Sequence, residues 1–240
     1  MSSKKDGPKV AVITGGGSGI GFAMARTFAG SGYSVVITGR DAKRLQKAAA
    51  DISADKKEIT SVACDVRDPA SVENLLREIG KDHYRIDVLI NNAGVAQLLA
   101  PVDQLPIETW KEVIDTNLTG TFLVTRAALP LMRTGGTIVN NLSVAALQPF
   151  AGMSAYNASK FGALGFTHAL REDLRKRGIR VLALLPGATD TDIWRQFWPD
   201  APKEKMISAE TVAQAVLHAV SVPANTAIEE IRIGPAAGVL

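Results

Sequence analysis

The sequence predicts an α/β protein whose single domain, spanning residues 1–240, is a doubly wound parallel sheet of about seven strands with helices on both faces. Short apolar runs rich in β-branched residues alternate with helical patterns along the whole chain, as in buried parallel strands joined by crossover helices. A glycine-rich turn follows the first run. No segment has the composition of a linker, and hydrophobic residues at 46% suffice for one sizeable core.

Each element is predicted from its residue pattern and from the residues at its ends. The strands are short apolar stretches, expected at residues 9–14, 33–38, 59–64, 86–90, 136–142, 179–184 and 227–233. The helices have periodic apolar positions, expected at residues 19–29, 41–54, 71–81, 107–115, 118–132, 155–176 and 208–220. Asp41 is a suitable N-cap for the second helix. Residues 186–207 are expected to be irregular.

The composition argues against several classes of protein. The net charge of +3 is small and spread along the chain, so nucleic acid is not an expected partner. No apolar run approaches the roughly 18 residues of a membrane helix, and the first ten residues lack the apolar core of a signal peptide. With one cysteine, Cys64, we expect a cytoplasmic protein without an intrachain disulfide. His83, His168 and His218 stand apart, so no metal site is expected.

The turn after the first predicted strand is a candidate phosphate-binding loop. It reads TGGGSGIG over residues 14–21 and opens the next helix. Glycines let a ligand approach the backbone closely, and the N-terminal N–H groups of a helix attract a pyrophosphate. The candidate contacts to a dinucleotide cofactor are Gly15, Gly17, Ser18, Gly19, Ile20 and Gly21. A flexible glycine turn is the alternative interpretation.

The end of the second predicted strand bears on the choice between NADP and NAD. An acidic residue there would accept from the ribose hydroxyls and repel a 2′-phosphate. This chain has Gly39 and then Arg40, whose guanidinium can bind a phosphate through two hydrogen bonds. The pattern favours NADP, although the neighbouring Asp41 weakens the preference and Arg40 could be an ordinary solvated charge.

Tyr156 and Lys160 are four residues apart on a predicted helix and so share one face. A nearby ammonium favours the phenolate, but lowering a tyrosine pKa from about 10 to about 7 takes roughly 4 kcal/mol, more than one exposed lysine supplies. The pair opens the helix after the fifth strand, near the edge of the sheet where such folds bind ligands. Ser143 ends that strand and could donate a hydrogen bond to a substrate oxygen. A chance pair and a turn serine are the alternatives.

Through these residues the chain resembles the short-chain dehydrogenase/reductase family, in its single-domain branch, over nearly its whole length. The motifs match in order and at suitable spacing, which makes the resemblance specific. They are T-G-x-x-x-G-x-G at residues 14–21, the pair Asp65 and Val66, N-N-A-G at Asn91, Asn92, Ala93 and Gly94, then Asn117, the set Ser143, Tyr156 and Lys160, and finally Pro186 and Gly187 followed by Thr189 and Thr191.

The resemblance implies a Rossmann-type fold and an NADP-dependent oxidoreductase that transfers a hydride between the nicotinamide and a carbonyl or alcohol carbon. In the family Tyr156 would be the general acid or base, and Ser143 would steady the reacting oxygen. Lys160 would hold the nicotinamide ribose and favour ionisation of Tyr156, and Asn117 would position a water that links Lys160 to solvent. The implied cofactor contacts beyond the loop and Arg40 are Asp65, Val66, Asn92, Ala93, Gly94, Tyr156, Lys160, Pro186, Gly187, Thr189 and Thr191.

The resemblance also predicts that residues 187–207 cover the active site as a lid. This segment carries Trp194, Phe197 and Trp198, whose aromatic surface suggests an apolar or aromatic ketone or aldehyde as the substrate. Packing against the core or a partner subunit is an equal alternative for these side chains. Further candidate pocket residues are Leu98, Gln148, Phe150 and Met153.

Family members usually pack two helices across two-fold axes: the one that here begins near Ala155 and the one that precedes it. In this chain the helix from Ala155 carries an apolar set, Phe161, Leu164, Phe166 and Leu170. We therefore expect a homodimer or homotetramer. Two other functions stay open: an NADP-binding regulatory protein without turnover, which the intact catalytic set argues against, and an epimerase or dehydratase, whose larger C-terminal region exceeds the roughly 50 residues after Pro186.

Overall fold

The structure is a computed structural model that describes residues 7–53, 59–83, 85–196 and 198–238. Its centre is a seven-stranded sheet with the strand order β3-β2-β1-β4-β5-β6-β7. All neighbouring strands pair in parallel. The strands are β1 (Val10–Thr14), β2 (Ser34–Gly39), β3 (Ile59–Ala63), β4 (Ile86–Asn91), β5 (Met132–Asn141), β6 (Arg180–Pro186) and β7 (Glu230–Ile233).

Helices connect the strands, and two of them begin at an aspartate cap, of which the sequence analysis predicted Asp41. Asp68 accepts from the N–H of Ala70 at the start of the third helix, and Asp41 accepts from that of Arg44 in the second. The helices are α1 (Gly19–Gly30), α2 (Ala42–Ser53), α3 (Pro69–Asp82), α4 (Ile107–Ile114), α5 (Gly120–Ala128), α6 (Ser154–Arg175) and α7 (Ala209–Ser221). No helix among the described residues is apolar and long enough to span a bilayer.

The order of the strands reverses at β1. The chain first builds outward from β1 to β2 and β3, then returns to add β4 on the other side. The carboxyl ends of β1 and β4 therefore open side by side with connections leading away in opposite directions. Such a switch point leaves a crevice for ligands in doubly wound sheets.

Successive side chains of a strand point to opposite faces of the sheet, and each face packs against its own layer of helices. On one face Ile13 of β1 lies in a core with Phe28 of α1 and Val216 of α7. On the other face Val12 lies in a core with residues from α3 and α6, including Leu174. The sheet is therefore buried on both sides, as its apolar strands predict.

Polar side chains form a hydrogen-bonded ladder inside this core. Asn91 of β4 donates through Nδ2 to Asn140 Oδ1 at 2.8 Å and to Thr125 Oγ1 at 2.9 Å. Asn140 of β5, which is fully buried, donates through its own Nδ2 to Thr167 Oγ1 of α6 at 2.9 Å. Two strands and two helices are thus tied together by side-chain amides and hydroxyls.

The structure corrects two boundaries around the fifth strand. The predicted helix over residues 118–132 ends at Ala128, because Pro130 has no N–H to continue it and lies in a short 3₁₀ turn, Leu129–Leu131. The strand therefore starts at Met132, not near residue 136. The two predicted helices of this region are also continuous, joined by a π-helical turn at Asp115–Thr119.

Candidate active site

A cavity of about 480 Å³ opens at the carboxyl ends of the central strands. It gathers residues that are far apart in the sequence, from the glycine-rich loop to the segment after β6. The predicted site residues that line it are Gly15, Ser18, Gly19, Ile20, Asn92, Ala93, Gly94, Ser143, Tyr156, Lys160, Pro186, Gly187, Thr189 and Thr191. Gly17, Gly21, Arg40, Asp65, Val66 and Asn117 are absent from its lining.

The glycine-rich loop is shaped for a close approach of its backbone to neighbouring groups. Gly15 has a φ of +65°, a conformation that side chains rarely adopt. Gly21 lies one turn into α1, where a Cβ would collide with the Gly15 carbonyl oxygen and with the Asn92 amide. Ser18 is the N-cap of α1 but makes no capping hydrogen bond with its side chain. The first turn of α1 therefore keeps N–H groups available for an anion.

Asn92 braces this loop from the end of β4. Its Nδ2 donates to the carbonyl oxygens of Thr14 and Gly15, at 2.9 and 3.1 Å. In return, the Thr14 hydroxyl oxygen accepts from the backbone N–H groups of Asn92 and Ala93, both at 2.9 Å. The two motifs on either side of the switch point therefore fix each other.

The adenosine end of the predicted site consists of exposed charges beside the main cavity. Arg40 Nη1 lies 3.4 Å from Glu112 Oε1 of α4. Asp65 is paired with Arg67, whose guanidinium donates to both carboxylate oxygens at 2.6–3.1 Å. This hydrogen bonding lowers the pKa of the Asp65 carboxyl. Arg67 also lies 3.8 Å from Glu112. Neither Arg67 nor Glu112 was among the predicted residues, and nothing in the sequence places α4 beside Arg40.

Val66 is a core residue as well as part of a predicted cofactor motif. It is buried in the cluster that covers one face of the sheet. A Cβ on Gly120, the first residue of α5, would lie 2.7 Å from Val66 Cγ2. The structure thus gives Val66 a packing role at the start of α5.

Tyr156, Ser143 and Lys160 lie together in the wall of the cavity. Tyr156 shares a side-chain hydrogen bond with Ser143. The Ser143 oxygen also accepts from the N–H of Ala145 at 3.1 Å, which fixes the position of the hydroxyl. Lys160 Nζ donates to the carbonyl oxygen of Asn141 at 3.1 Å and lies 5.5 Å from the centre of the Tyr156 ring. The arrangement presents a phenol and a hydroxyl together to the same volume.

Burial is the main influence on the two ionisable groups of this set. It raises the pKa of the Tyr156 phenol above its ordinary value of 10, and the hydrogen bond with Ser143 offsets part of that rise. The expectation that Lys160 biases Tyr156 towards ionisation stays a prediction. Burial also lowers the pKa of Lys160 to about 8. Tyr156 stays protonated near neutral pH and is poised to donate a proton.

Asn117 lies behind the cavity in the π-helical turn. Its Oδ1 accepts from the N–H of Val95, and its Nδ2 donates to the Val95 carbonyl oxygen and to Ser159 Oγ, all at 2.9–3.0 Å. The side-chain amide is fully used in fastening the loop after β4 to α6. The main-chain carbonyl of Asn117 accepts from the Thr121 hydroxyl at 2.9 Å. A role for Asn117 in a proton relay stays a prediction.

The segment after β6 forms the outer wall of the cavity. Thr191 packs against the phosphate loop, within 3.2 Å of where a Cβ of Gly19 would lie. Trp194 donates through Nε1 to the Thr189 carbonyl oxygen at 2.8 Å, and its ring meets that of Trp198 edge to face. Both tryptophans line the cavity. Phe197 lies outside the described residues.

An ion pair joins this segment to the other side of the loop. Arg44 Nη2 of α2 lies 3.2 Å from Asp192 Oδ2, with about half of each side chain exposed. A Cβ on Gly17 would lie 3.5 Å from Arg44 Cγ, which places the glycine against α2, away from the cavity lining. The outer wall is thus anchored on both flanks of the phosphate loop.

The remaining pocket predictions divide in two. Phe150 and Met153 line the cavity, whereas Leu98 and Gln148 do not, and Leu98 is largely exposed. Residues that sequence reasoning missed complete the apolar wall; they include Leu99, Leu142, Val144, Ala188 and Ile193. Their apolar character alone does not distinguish them from core residues in the sequence.

Two of the residues set aside as non-catalytic, Cys64 and His168, have structural surroundings that explain them. Cys64 is buried in the core, and burial raises the pKa of its thiol, the opposite of an activated nucleophile. His168 pairs with Glu230 at 2.9 Å on the surface. Within the described parts of the chain, no group of three or more His, Cys, Asp or Glu could hold a metal ion.

Comparison with known proteins relates this site to one family of enzymes. The sequence model of the short chain dehydrogenases matches residues 9–202. Sulfoacetaldehyde reductase 2 of Chromohalobacter salexigens is 35% identical over 237 residues, which cover 94% of each protein. Dehydrogenase/reductase SDR family member 4 of Bos taurus is 36% identical over 203 residues, which cover 84% of this chain and 73% of the bovine protein.

Solved structures agree over the whole fold. An alcohol dehydrogenase from the archaeon Thermococcus sibiricus, complexed with 5-hydroxy-NADP, aligns with a TM-score of 0.89 and 29% identity over 96% of this chain and 97% of its own. The closed form of a serine dehydrogenase complexed with NADP⁺ aligns with a TM-score of 0.88 and 30% identity over 96% of each. The chain therefore belongs to the short-chain dehydrogenase/reductase family of oxidoreductases.

Proposed function

We propose that this protein is an NADP-dependent reductase of apolar or aromatic ketones or aldehydes, working between NADP(H) and a carbonyl or alcohol. The observation that carries the proposal is the meeting of Tyr156 and Ser143 in the wall of a cavity that the glycine-rich loop also lines. One volume thus joins a proton donor to a site suited to a dinucleotide.

The residues present fit such a cofactor. The crowded glycines at positions 15 and 21 leave the loop surface free of side chains, and α1 presents an uncapped N-terminus without acidic residues in its first turn. This is the arrangement that attracts a pyrophosphate. Thr189 and Thr191 also line the cavity, in the segment that packs against this loop at Gly19, and we assign them to the nicotinamide end of the cofactor.

The preference for NADP is supported by charge. Arg40 directly follows β2, where its guanidinium would pair with a 2′-phosphate. Arg67 is a second guanidinium near this position, because Arg40 and Arg67 lie 3.4 and 3.8 Å from the same Glu112 carboxylate. The Thermococcus sibiricus alcohol dehydrogenase and the serine dehydrogenase were both solved with NADP-type cofactors. We extend that cofactor to this chain.

When bound, the cofactor would supply the hydride, and the protein would supply position and a proton. Ser143 donates a hydrogen bond to the carbonyl oxygen, where negative charge develops during reduction. Tyr156, which is protonated near neutral pH, gives its proton to that oxygen as general acid. Lys160, held by the Asn141 carbonyl, keeps a positive charge beside the phenolate that remains. Oxidation would use the same groups in reverse.

The cavity wall supports a neutral, apolar substrate. Phe150, Met153, Trp194 and Trp198 line it, and Lys160 is the one basic side chain among the described lining residues. Asp192 adds a carboxylate to the outer wall. Sulfoacetaldehyde reductase 2 is named for an anionic substrate. Away from Lys160, a sulfonate would meet the Asp192 carboxylate and aromatic rings, so the substrate class is proposed to differ.

Three further features belong to the proposal. The chain acts as one domain, with residues 187–207 as the lid over substrate and cofactor. It works as a homodimer or homotetramer in the cytoplasm, with α5 and α6 at the interface. Phe122 and Phe161 are more than 40% exposed on these helices, which supports this surface, whereas Leu170 is buried in the core of the chain and contributes nothing to it.

The alternative, a cofactor-binding regulatory protein without turnover, keeps the same fold and the same cofactor contacts. The test is oxidation of NADPH and of NADH, followed by nicotinamide absorbance with a panel of ketones, aldehydes and quinones. Wild type, Tyr156→Phe and Arg40→Asp are run in parallel. We expect turnover with NADPH, a loss of at least about 10²-fold in Tyr156→Phe, and a shift towards NADH in Arg40→Asp.

Two results would contradict the proposal. Equal turnover by wild type and Tyr156→Phe would remove Tyr156 from the chemistry. Tight binding of NADPH without reaction across the panel, and with no product from any alcohol and NADP⁺, would favour the regulatory alternative.

A further inference from the structure

The helix that carries Tyr156 begins without a cap of its own. Tyr156 is the third residue of α6, so its backbone N–H has no partner within the helix. Met153 precedes the helix as N-cap and makes no side-chain hydrogen bond to it. The missing acceptor comes from elsewhere: Gln97 Oε1 accepts from the Tyr156 N–H at 3.0 Å, across 59 positions of sequence.

The nitrogen of the Gln97 amide also makes a hydrogen bond. This Nε2 donates to the carbonyl oxygen of Gly152 at 2.9 Å, and that oxygen accepts from the N–H of Ala100 at 3.0 Å as well. Gln97 is only 1% exposed. A buried side chain with both functional ends in hydrogen bonds has its position and its amide orientation fixed. It therefore holds two backbone points on either side of the helix start.

Gln97 lies on the loop after β4 that also forms part of the cavity wall. Two residues before it, the backbone N–H and carbonyl of Val95 are both hydrogen-bonded to the Asn117 side chain. The Asn117 amide also donates to Ser159 of α6. Two residues after it, Leu99 lines the cavity. The loop is thus fastened to α6 at Tyr156 and at Ser159, nearly one turn apart, directly beside the substrate volume.

We propose that Gln97 is a positioning residue for the reaction, which holds the backbone of Tyr156 so that the phenol stays against Ser143 while the neighbouring loop encloses the substrate. The inference rests on the proposed function for its catalytic consequence. An ordinary helix cap would stabilise α6 without affecting how Tyr156 meets its partners. The two roles differ in what they predict for Tyr156 itself.

The test compares Gln97→Met, which keeps the size but loses both hydrogen bonds, with Gln97→Glu, which keeps the acceptor for the Tyr156 N–H. The chain has three tyrosines, so ¹³C labelling at the ring carbon that bears the hydroxyl gives three signals, and Tyr156→Phe assigns one of them. Titration of that signal reports the ionisation of Tyr156 without any substrate. Turnover uses NADPH and the most active carbonyl compound of the panel above.

We expect Gln97→Met to move the Tyr156 signal and to lower kcat about tenfold, since small misplacements of a catalytic group are costly, with the KM for NADPH within about twofold of wild type. Gln97→Glu should restore kcat to within about threefold, because one carboxyl oxygen accepts from the Tyr156 N–H and the other, protonated in this buried site, donates to the Gly152 carbonyl oxygen. Ionisation of that carboxyl at high pH should raise the pKa of Tyr156, which otherwise responds to burial and to the Ser143 hydrogen bond.

Ser208→Ala is the matched control, because Ser208 accepts from the Thr211 N–H as the cap of α7. It should lower stability and leave the Tyr156 signal in place. The proposal is overturned if Gln97→Met behaves like this control, with lower stability but wild-type kcat and an unmoved Tyr156 signal. If Gln97→Met does not fold, Gln97→Asn decides, because it shortens the amide by one methylene without adding charge: the proposal requires kcat to fall and the Tyr156 signal to move. Full activity of Tyr156→Phe would refute the proposed function instead, and the titration would still decide whether Gln97 positions Tyr156.

Discussion

Lys160 should make the protein less stable near neutral pH, and replacing it with methionine should reveal by how much. The side chain is 7% exposed, and burial lowers the pKa of its ammonium from 10.5 to about 8. In the unfolded chain Lys160 keeps its ordinary pKa. Between pH 8 and pH 10.5 the unfolded state therefore binds more protons, and the contribution of Lys160 to stability rises with pH.

The size of the effect follows from the two pKa values. Each tenfold difference in proton affinity is worth about 1.4 kcal/mol, so charging Lys160 in the folded protein costs about 3 kcal/mol at pH 7. Lys160→Met removes this cost but leaves the Asn141 carbonyl without its donor, a loss of about 1 kcal/mol. We expect the variant to be more stable than wild type by about 2 kcal/mol at pH 7, although it is inactive.

The assay is urea unfolding of wild type and Lys160→Met at pH 7 and pH 10, followed by tryptophan fluorescence. Because Lys160 is largely neutral in the folded protein at pH 10, the advantage of the variant should fall to near zero there. Other groups that titrate over this range are common to both proteins and cancel in the difference. A difference that stays constant between pH 7 and pH 10, or a variant less stable than wild type at pH 7, would refute desolvation of Lys160 as the cause.

Two further predictions concern the cofactor site. Gly21→Ala should abolish NADPH binding, measured by fluorescence titration, and destabilise the protein by about 1–3 kcal/mol, because its Cβ would meet the Gly15 carbonyl and the Asn92 amide. Glu112→Gln should tighten NADPH binding up to about fivefold and leave NADH unchanged. It frees Arg40 from an exposed ion pair worth at most about 1 kcal/mol.

Each of these predictions has a clear contrary result. Wild-type NADPH affinity in Gly21→Ala would mean that the loop can shift to accept a methyl group without losing its ligand. Equal gains for NADPH and NADH in Glu112→Gln would place the effect away from the 2′-phosphate and would count against Arg40 as its partner.

Local patterns in the sequence were enough to predict the order of the strands and helices and the face of α6 that Tyr156 and Lys160 share. Apolar β-branched runs and helix caps such as Asp41 depend on neighbouring residues, so they are legible in a single sequence. Tyr156 and Lys160 share a helix face for the same reason. The helix end at Ala128 was missed because apolar periodicity continues past it, although Pro130 marked the break.

Contacts between residues far apart in the chain could not be predicted from the sequence. Glu112 beside Arg40, Arg44 across from Asp192, and Gln97 at the start of α6 are pairs separated by 59 or more positions. None of them leaves a periodic or spacing signal. The direction of the Tyr156 pKa also depended on burial, which weakened the argument from Lys160 alone.

The buried amide ladder also fixes the position of α6, the helix that carries Tyr156, along its own axis. A helix that slips by one turn moves about 5.4 Å along its axis, and its apolar face meets similar neighbours in the new place. Such a slip would move Thr167 away from Asn140. The Asn140 amide would then lack a hydrogen-bond partner in the core, at a cost of about 1–3 kcal/mol. The hydrogen bond from Asn140 therefore favours one axial position of α6, the position in which Tyr156 lies beside Ser143.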